Sequence, residues 1–172
     1  MEEKNVIVNR VASSPLITLD LEEHFPQGER ILYDLKENLF QGLILKEKEF
    51  RQFIKEHDFT QYQDKHVALH CTADAIIPTW AYMLLANKMA PFADHIVFGD
   101  LQALEQSLFQ SVLRQIDYSE YQDKKVVVKG CSKLPVPTYA YVEVTRRLTP
   151  YVSSLMFGEP CSTVPVYKRP RK

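Results

Sequence analysis

The sequence has few glycines and few cysteines. Its 172 residues include 5 glycines and 3 cysteines. It contains none of the glycine-rich motifs that bind nucleotide phosphates, and no Gly-x-Ser-x-Gly turn that would expose a nucleophilic serine. No Cys-x-x-Cys pair occurs, and an odd number of cysteines argues against a disulfide framework. We therefore expect neither a nucleotide cofactor bound by a familiar phosphate loop nor a disulfide-stabilised secreted domain.

The sequence also lacks a large excess of charge and a long hydrophobic run. Its 21 basic and 22 acidic residues give a net charge of −1, so no strong field favours nucleic acid. No apolar run approaches the roughly 18 residues that span a bilayer. The first five residues, Met-Glu-Glu-Lys-Asn, do not resemble a signal peptide. We expect a soluble cytoplasmic protein with reduced thiols that binds neither membranes nor nucleic acid.

A repeat organises what is present. The tetrapeptide Tyr-Gln-Asp-Lys occurs at residues 62–65 and again at residues 121–124, and the distance between the two in sequence is called the repeat offset. So many further matches occur at this one offset that they indicate a duplicated unit. The matches without a gap include Val67 and Val126, Pro78-Thr79 and Pro137-Thr138, Ala81-Tyr82 and Ala140-Tyr141, Pro91 and Pro150, and Phe98-Gly99 and Phe157-Gly158.

Each copy is predicted to contain a helix, a strand, a second helix and a second strand. Apolar residues spaced three and four apart between Leu101 and Ile116 indicate one face of a helix. Pro78 and Pro137 are expected to begin the second helix of each copy, with the adjacent threonine as its cap. Short apolar runs like the four here are typical of parallel strands buried on both faces. These runs are residues 67–69, 96–98, 126–128 and 155–157.

These elements predict the α/β fold class. Strands that alternate with helices of this length favour a three-layer αβα arrangement around a mainly parallel sheet, built from a duplicated α-β-α-β unit. We expect a single domain, residues 1–172, with four parts. These parts are an N-terminal extension at 1–43, repeat copies at about 44–100 and 103–159, and a C-terminal tail at 160–172.

The N-terminal extension fits this scheme less well. The alternation of Ile17, Leu19 and Leu21 with polar residues predicts a strand. Residues 30–40 fit either a strand or a helix, and residues 5–8 fit either an edge strand or a loose terminus. Four histidines lack the spacing of metal ligands, and we expect them at the surface. They are His24, His57, His66 and His95.

Candidate site residues follow the predicted strands. In open α/β sheets, ligands bind outside the carboxyl ends of the strands. Seven residues with suitable chemistry lie there: His70, Cys71, Asp74, Asp100, Cys131, Glu159 and Cys161. Because thiolates are soft ligands for zinc and for iron–sulfur clusters, the three cysteines predict a metal ion or cluster at this rim. Asp74 is the expected fourth ligand or general base, and Asp100 and Glu159 are the other candidate catalytic acids.

Two other interpretations fit the same cysteines. Buried cysteine packs as a small hydrophobic residue, so the protein could instead be a non-catalytic binding or interaction domain. A single cysteine beside a helix N-terminus could also serve a thiol-dependent enzyme. The ligand would be an unidentified small molecule or protein, and a homo-oligomer is consistent with the sequence. Tyr82 and Tyr141 either pack at equivalent helix starts or line the crevice with their hydroxyls.

Five stretches of the sequence are distinctive. They are Ile-Leu-Lys-Glu-Lys at 44–48, Pro-Thr-Trp-Ala-Tyr-Met-Leu-Leu-Ala at 78–86, Val-Phe-Gly-Asp at 97–100, Lys-Gly-Cys-Ser at 129–132 and Gly-Glu-Pro-Cys-Ser-Thr-Val-Pro at 158–165. In these stretches, and over nearly the whole chain, the sequence resembles the bacterial family catalogued as domain of unknown function 2480. That resemblance implies no activity, cofactor or site residue, so the function has to be inferred from the residues themselves.

Overall fold

The protein is an alternation of strands and helices. The computed structural model describes residues 16–130 and 133–170, so Cys131 and residues 5–8 lie outside the described part. None of the helices within these ranges is long and apolar enough to cross a membrane. In chain order the elements are β1 (Leu16–Asp20), β2 (Arg30–Asp34), α1 (Glu47–Glu56), β3 (His66–His70), α2 (Thr79–Met89), β4 (His95–Phe98), α3 (Leu101–Gln115), β5 (Lys125–Lys129), α4 (Thr138–Leu148), β6 (Ser154–Glu159) and β7 (Ser162–Lys168).

The chain divides into two compact units. One unit, Pro26–Ser111, is called the middle unit because it occupies the middle of the sequence. The other, Met1–Phe25 with Val112–Lys172, is called the terminal unit because it combines both ends of the chain. Each unit has its own sheet.

The sheet of the middle unit has the order β2-β3-β4, and all three strands are parallel. Its central strand, β3, is buried on both faces. Val67 and Leu69 belong to a cluster with residues of α1 and α2, including Phe50 and Leu85. Ala68, between them in sequence, packs instead with residues of α3. Alternate side chains of β3 therefore contact helices on opposite faces of the sheet.

The sheet of the terminal unit has the order β1-β5-β6-β7. The first three strands are parallel, with Val126 opposite both Ile17 and Leu155, and β7 returns antiparallel to β6. The central strand, β5, is buried along Val126–Val128, as β-branched residues in a continuous run predict. Each unit thus has one central strand that is paired along both edges and covered on both faces.

The predicted α/β class is confirmed, because the described residues contain four helices and two mostly parallel sheets. The strands form two sheets and not the single sheet expected. The reason lies in the N-terminal strands: β1 pairs with β5, whereas β2 pairs with β3. The two strands are neighbours in sequence, yet each completes a different sheet. The expected domain boundaries stay a prediction.

The structure differs from the sequence predictions at three local features. Residues 30–40 are neither all strand nor all helix, since β2 is followed by a 3₁₀ turn at Leu35–Asn38. The threonine cap was wrong: Pro78 occupies the N-cap with extended backbone, and no side chain caps α2. Thr79 is therefore already the first helical residue. Strand β7 was not predicted, because its residues were assigned to the C-terminal tail.

His66 is buried, contrary to the prediction that it lies at the surface. Only 8% of the residue is exposed, because it begins the central strand β3. Its Nε2 lies 2.6 Å from the carbonyl oxygen of Gln27, and the ring leaves no room for a side chain at residue 28. A Cβ added to Gly28 would lie 2.5 Å from Nε2, and Gly28 also has a φ of +117°. Glycine is required there for both reasons.

Replacement of Gly28 therefore tests this packing. We expect Gly28→Ala to lower the free energy of unfolding by about 3 kcal/mol, through backbone strain and the clash with His66. Gly42→Ala is the matched control, since Gly42 also has positive φ but no heavy atom within 4 Å of an added Cβ. It should cost only about 1 kcal/mol. Equal losses for the two variants in urea unfolding would contradict the described contact.

Candidate functional site

The carboxyl end of the middle unit's sheet is organised by Asp34, the last residue of β2. Its Oδ1 accepts hydrogen bonds from the backbone N–H groups of Lys36 and Thr72, both at 3.0 Å. Its Oδ2 accepts a bond from the Thr72 hydroxyl at 2.5 Å. Asp34 thus joins the end of its own strand to the loop that follows β3, and that loop contains Cys71.

Asp34 remains ionised over the whole physiological range. Burial alone would raise its pKa, but the hydrogen bonds from Thr72 and from the Lys36 N–H outweigh burial and lower the pKa to about 2. The side chain is only 14% exposed. A carboxylate with this many donors is well suited to hold a loop in one conformation.

A pocket lies beside this loop, between α2 and the end of β4. Its volume is about 510 Å³. The ring of Tyr82 packs edge-on against that of Phe98, with centroids 5.1 Å apart. Burial, and then the neighbouring Cys71 and Asp34, raise the pKa of Tyr82, so its hydroxyl stays protonated. The lining is mostly apolar, with one thiol and one phenol among its polar groups. It includes His70, Cys71, Thr79, Tyr82, Met83 and Phe98.

The terminal unit has a pocket at the same position, between α4 and β6. Its volume is about 530 Å³, and the rings of Tyr141 and Phe157 meet edge-on with centroids 5.6 Å apart. Strand β7 adds Val164 and Val166 to its wall. Four lining positions of this pocket are related to lining positions of the other by the repeat offset. These pairs are Thr79 and Thr138, Tyr82 and Tyr141, Met83 and Val142, and Phe98 and Phe157.

A charged group lies at the carboxyl end of the terminal unit's sheet. Lys129 ends β5, and its Nζ lies 3.0 Å from a carboxylate oxygen of Asp20 and 3.8 Å from one of Glu159. The hydrogen bond and charge of Asp20, followed by the charge of Glu159, raise the pKa of Lys129. Glu22 accepts hydrogen bonds from the N–H groups of Lys133 and Leu134. Asp20 pairs in register with Lys129 as Asp34 pairs with His70, and these two partners are related by the repeat offset, so Asp20 holds in this unit the position of Asp34.

Comparison with known proteins gives the family of the chain. A family model described as "Protein of unknown function (DUF2480)" matches residues 5–169, nearly the whole chain. The chain belongs to the DUF2480 family. This confirms the resemblance inferred from the five sequence stretches. No curated protein and no solved structure matches the chain.

The cysteines of this DUF2480 protein lie in different settings. Cys71 follows β3, is half-buried, and its Sγ lies 3.8 Å from the carbonyl oxygen of Ala73. Cys161 is exposed in the turn between β6 and β7, and Cys131 lies outside the described residues.

Within residues 16–130 and 133–170, no three His, Cys, Asp or Glu side chains form a group that could hold a metal ion. The cysteine-ligated site stays a prediction.

The predicted acids are all at the surface. Asp74 is exposed in the loop after β3. Asp100 accepts the N–H of Ala103 at 2.9 Å, which makes it the N-cap of α3. Glu159, at the end of β6, is near Lys129. None of the three is shown to share a site with a cysteine.

The aspartates that end β1 and β2 were missed by the sequence interpretation. A second repeat would have found them: Ile-x-x-Asp-Leu-x-Glu occurs at residues 17–23 and at residues 31–37. Its aspartates are Asp20 and Asp34, and its leucines, Leu21 and Leu35, are both fully buried. The motif is short and its two copies lie close together in sequence, so it does not stand out beside the longer repeat.

Loss of the Asp34 carboxylate should destabilise the protein. We expect Asp34→Asn to lower the free energy of unfolding by about 2 kcal/mol at pH 7, because three donors lose a charged acceptor. Since the pKa is below the ordinary 3.8, the contribution is present above that pH and is lost as pH falls towards 2. Asp74→Asn, in the exposed loop, is the control and should change stability by less than about 0.5 kcal/mol. Equal urea-unfolding curves for the two variants would contradict this role.

Proposed function

We propose that this protein is a non-catalytic binding protein that holds an apolar group of its ligand at the carboxyl ends of its sheets, with one pocket in each unit. The observation that carries the proposal is the presence of two pockets that share four equivalent lining positions, each with an edge-on tyrosine–phenylalanine pair. Apolar pockets with a few polar groups at the carboxyl ends of parallel strands are the usual ligand sites of α/β proteins.

The exposed side chains around the pockets support this proposal. Met83 and Phe98 are exposed beside one pocket, and Val142 and Val164 beside the other. Apolar side chains grouped at the surface are unfavourable in water unless a ligand or partner covers them. The tyrosine hydroxyls would supply hydrogen bonds to a polar part of the same ligand.

We also infer that the chain contains a duplicated α-β-α-β unit, with copies at about 44–100 and 103–159. In support, α2 and α4, and likewise β3 and β5, begin and end at positions related by the repeat offset. The 3₁₀ turns Phe59–Tyr62 and Tyr118–Tyr121 share this offset. The same Asp-based cap precedes each turn, through Asp58 and Asp117. Duplication would explain why a pocket occurs twice, and the helices on both faces of the middle unit's sheet favour the three-layer arrangement.

Pocket-filling variants test the proposed function with anilinonaphthalene sulfonate, a fluorescent dye that binds apolar surfaces. We expect Met83→Trp to abolish the site in the middle unit and Val142→Trp the site in the terminal unit. The two changes together should weaken dye binding by about tenfold or more. Leu43→Trp is the matched control, because Leu43 is exposed and lines neither pocket. Undiminished dye binding by the double variant would rule out the pockets as binding sites.

A metal ion or iron–sulfur cluster ligated by Cys71, Cys131 and Cys161, with Asp74 as fourth ligand, is the second candidate. It is favoured by the position of Cys71 and Cys161, each directly after a strand end or in the turn that follows one. Such a group would supply Lewis-acid or redox chemistry at the rim. A thiol-dependent reaction at one cysteine would need a reactive thiolate, and that hypothesis likewise stays a prediction.

Metal analysis of protein purified without oxygen tests this second candidate. A cysteine-ligated site predicts about one equivalent of zinc or one cluster per chain, with a visible spectrum if iron and sulfur are present. The triple change Cys71→Ser, Cys131→Ser and Cys161→Ser should abolish the bound metal. Less than about 0.1 equivalent in the unaltered protein would exclude a structural site of this kind.

A further inference from the structure

The two sheets differ at one edge. In the terminal unit, β7 pairs antiparallel with the outer edge of β6. In the middle unit, the equivalent strand is β4, and within the described residues no strand pairs with its outer edge. An uncovered strand edge presents unpaired N–H and C=O groups, which favour the addition of another extended segment.

The apolar surface beside β4 reflects the same difference. Phe98 is 72% exposed, whereas its equivalent beside β7, Phe157, is 40% exposed. In the terminal unit, Val164 and Val166 of β7 form part of the pocket wall near Phe157. Alternate residues of an added strand would therefore supply the side chains that the middle unit's pocket lacks.

A basic residue fixes the end of β7. The guanidinium of Arg169 bonds to the carboxylate of Asp123 and, at 2.6 Å, to the carbonyl oxygen of Tyr151. The backbone N–H of Arg169 also donates to the carbonyl oxygen of Ser153 at 2.9 Å. The end of the strand is thus held by charge as well as by the sheet.

The middle unit has the same receiving groups for a cation. Asp64 is the equivalent of Asp123: both have a φ near +60°, and the N–H of each donates to an equivalent carbonyl oxygen, of Phe92 and of Tyr151. The third group that holds Arg169 is the carbonyl oxygen of Ser153, and the equivalent residue in the middle unit is Asp94. Asp64 and Asp94 are both exposed, so this end of β4 carries more negative charge than its counterpart.

We propose that an extended segment of a partner protein adds to the edge of β4 as an antiparallel strand. Its alternate apolar side chains would cover Phe98 and Met83, and an arginine or lysine at its end would bind between Asp64 and Asp94. This inference deepens the proposed function and rests on it, since it names an extended, basic-ended peptide as the ligand of the middle unit's pocket. Backbone hydrogen bonds would give affinity, and the pocket and the two aspartates would give specificity.

Charge favours such a partner over a second copy of this chain paired through the same edge. A two-fold pairing of β4 with itself is antiparallel, so each end of one strand meets the opposite end of the other. It would bring Asp94 of one copy near Asp100 of the other, where two like charges repel. A segment that ends in a cation would instead bring a positive charge to Asp94, where opposite charges attract.

Fluorescence anisotropy with a labelled synthetic peptide provides the test. The probe has the sequence of residues 162–170, Ser-Thr-Val-Pro-Val-Tyr-Lys-Arg-Pro, which forms β7 and its basic end. We expect binding to the full chain with a dissociation constant of about 10–100 μM, as for small strand-addition interfaces. The changes Asp64→Lys and Asp94→Lys together should weaken binding at least about tenfold. The control, Glu37→Lys with Glu56→Lys, makes the same charge change at exposed sites after β2 and on α1 and should have little effect.

Further experiments distinguish the addition of a strand to β4 from other modes of peptide binding. A probe methylated at alternate backbone nitrogens cannot pair with β4 and should not bind. Equal affinity for the methylated probe, or for the Asp64→Lys, Asp94→Lys variant in its folded state, would overturn the proposal. Binding seen only after deletion of residues 1–15 would assign the edge to the chain's own N-terminal segment, and a dimer dissociated by the probe would assign it to a second copy. Either result also overturns it. Dye binding that persists without peptide binding would refute this inference and leave the proposed function intact.

Discussion

The complete burial of one strand in each unit is the constraint on which the rest of the structure depends. Val67 and Val126 have no exposed surface, and their strands must be paired along both edges because the interior offers no water to their backbone groups. Parallel neighbours on both sides meet this requirement and bring three carboxyl ends to one rim in each sheet. At this rim the chain leaves β3 and β5 and leads to α2 and α4, the helices that contain Tyr82 and Tyr141. The pairing of the strands therefore brings these tyrosines to the pockets.

The repeat and the apolar runs predicted the strands and helices of this pairing well. A run such as residues 126–128 is short, β-branched and continuous, and its burial follows from composition alone. Proline marked the starts of α2 and α4, since Pro78 and Pro137 occupy their N-caps. What composition could not give was the assignment of partners. The pairing of Ile17 with Val126 joins residues that are far apart in sequence, and the alternation in β1 fits any half-buried sheet edge.

The candidate site was predicted less completely, for physical reasons. The cysteines were chosen as candidates because of their residue type. Cys161, however, lies in a tight turn between β6 and β7, and this position depends on a hairpin that was not predicted. Asp34 acts through backbone donors of a distant loop, and such contacts leave no spacing signal. Tyr82 and Tyr141 line the pockets, and their rings also pack against phenylalanines, so the structure contains part of each of the two sequence interpretations. The repeat thus predicted that the two tyrosines occupy equivalent positions, whereas residue chemistry alone pointed to the cysteines. The pairing of each tyrosine with a phenylalanine was not predicted.

Binding of ligands at the carboxyl rim of each sheet can be tested with an amide chemical-shift map. Uniformly ¹⁵N-labelled protein would be titrated with anilinonaphthalene sulfonate, and the shifts assigned residue by residue. We expect two groups of shifted amides, one around Tyr82 and Phe98 and one around Tyr141 and Phe157. Shifts at the opposite end of the sheet, around Gly28 and His66, with none at either rim would contradict it.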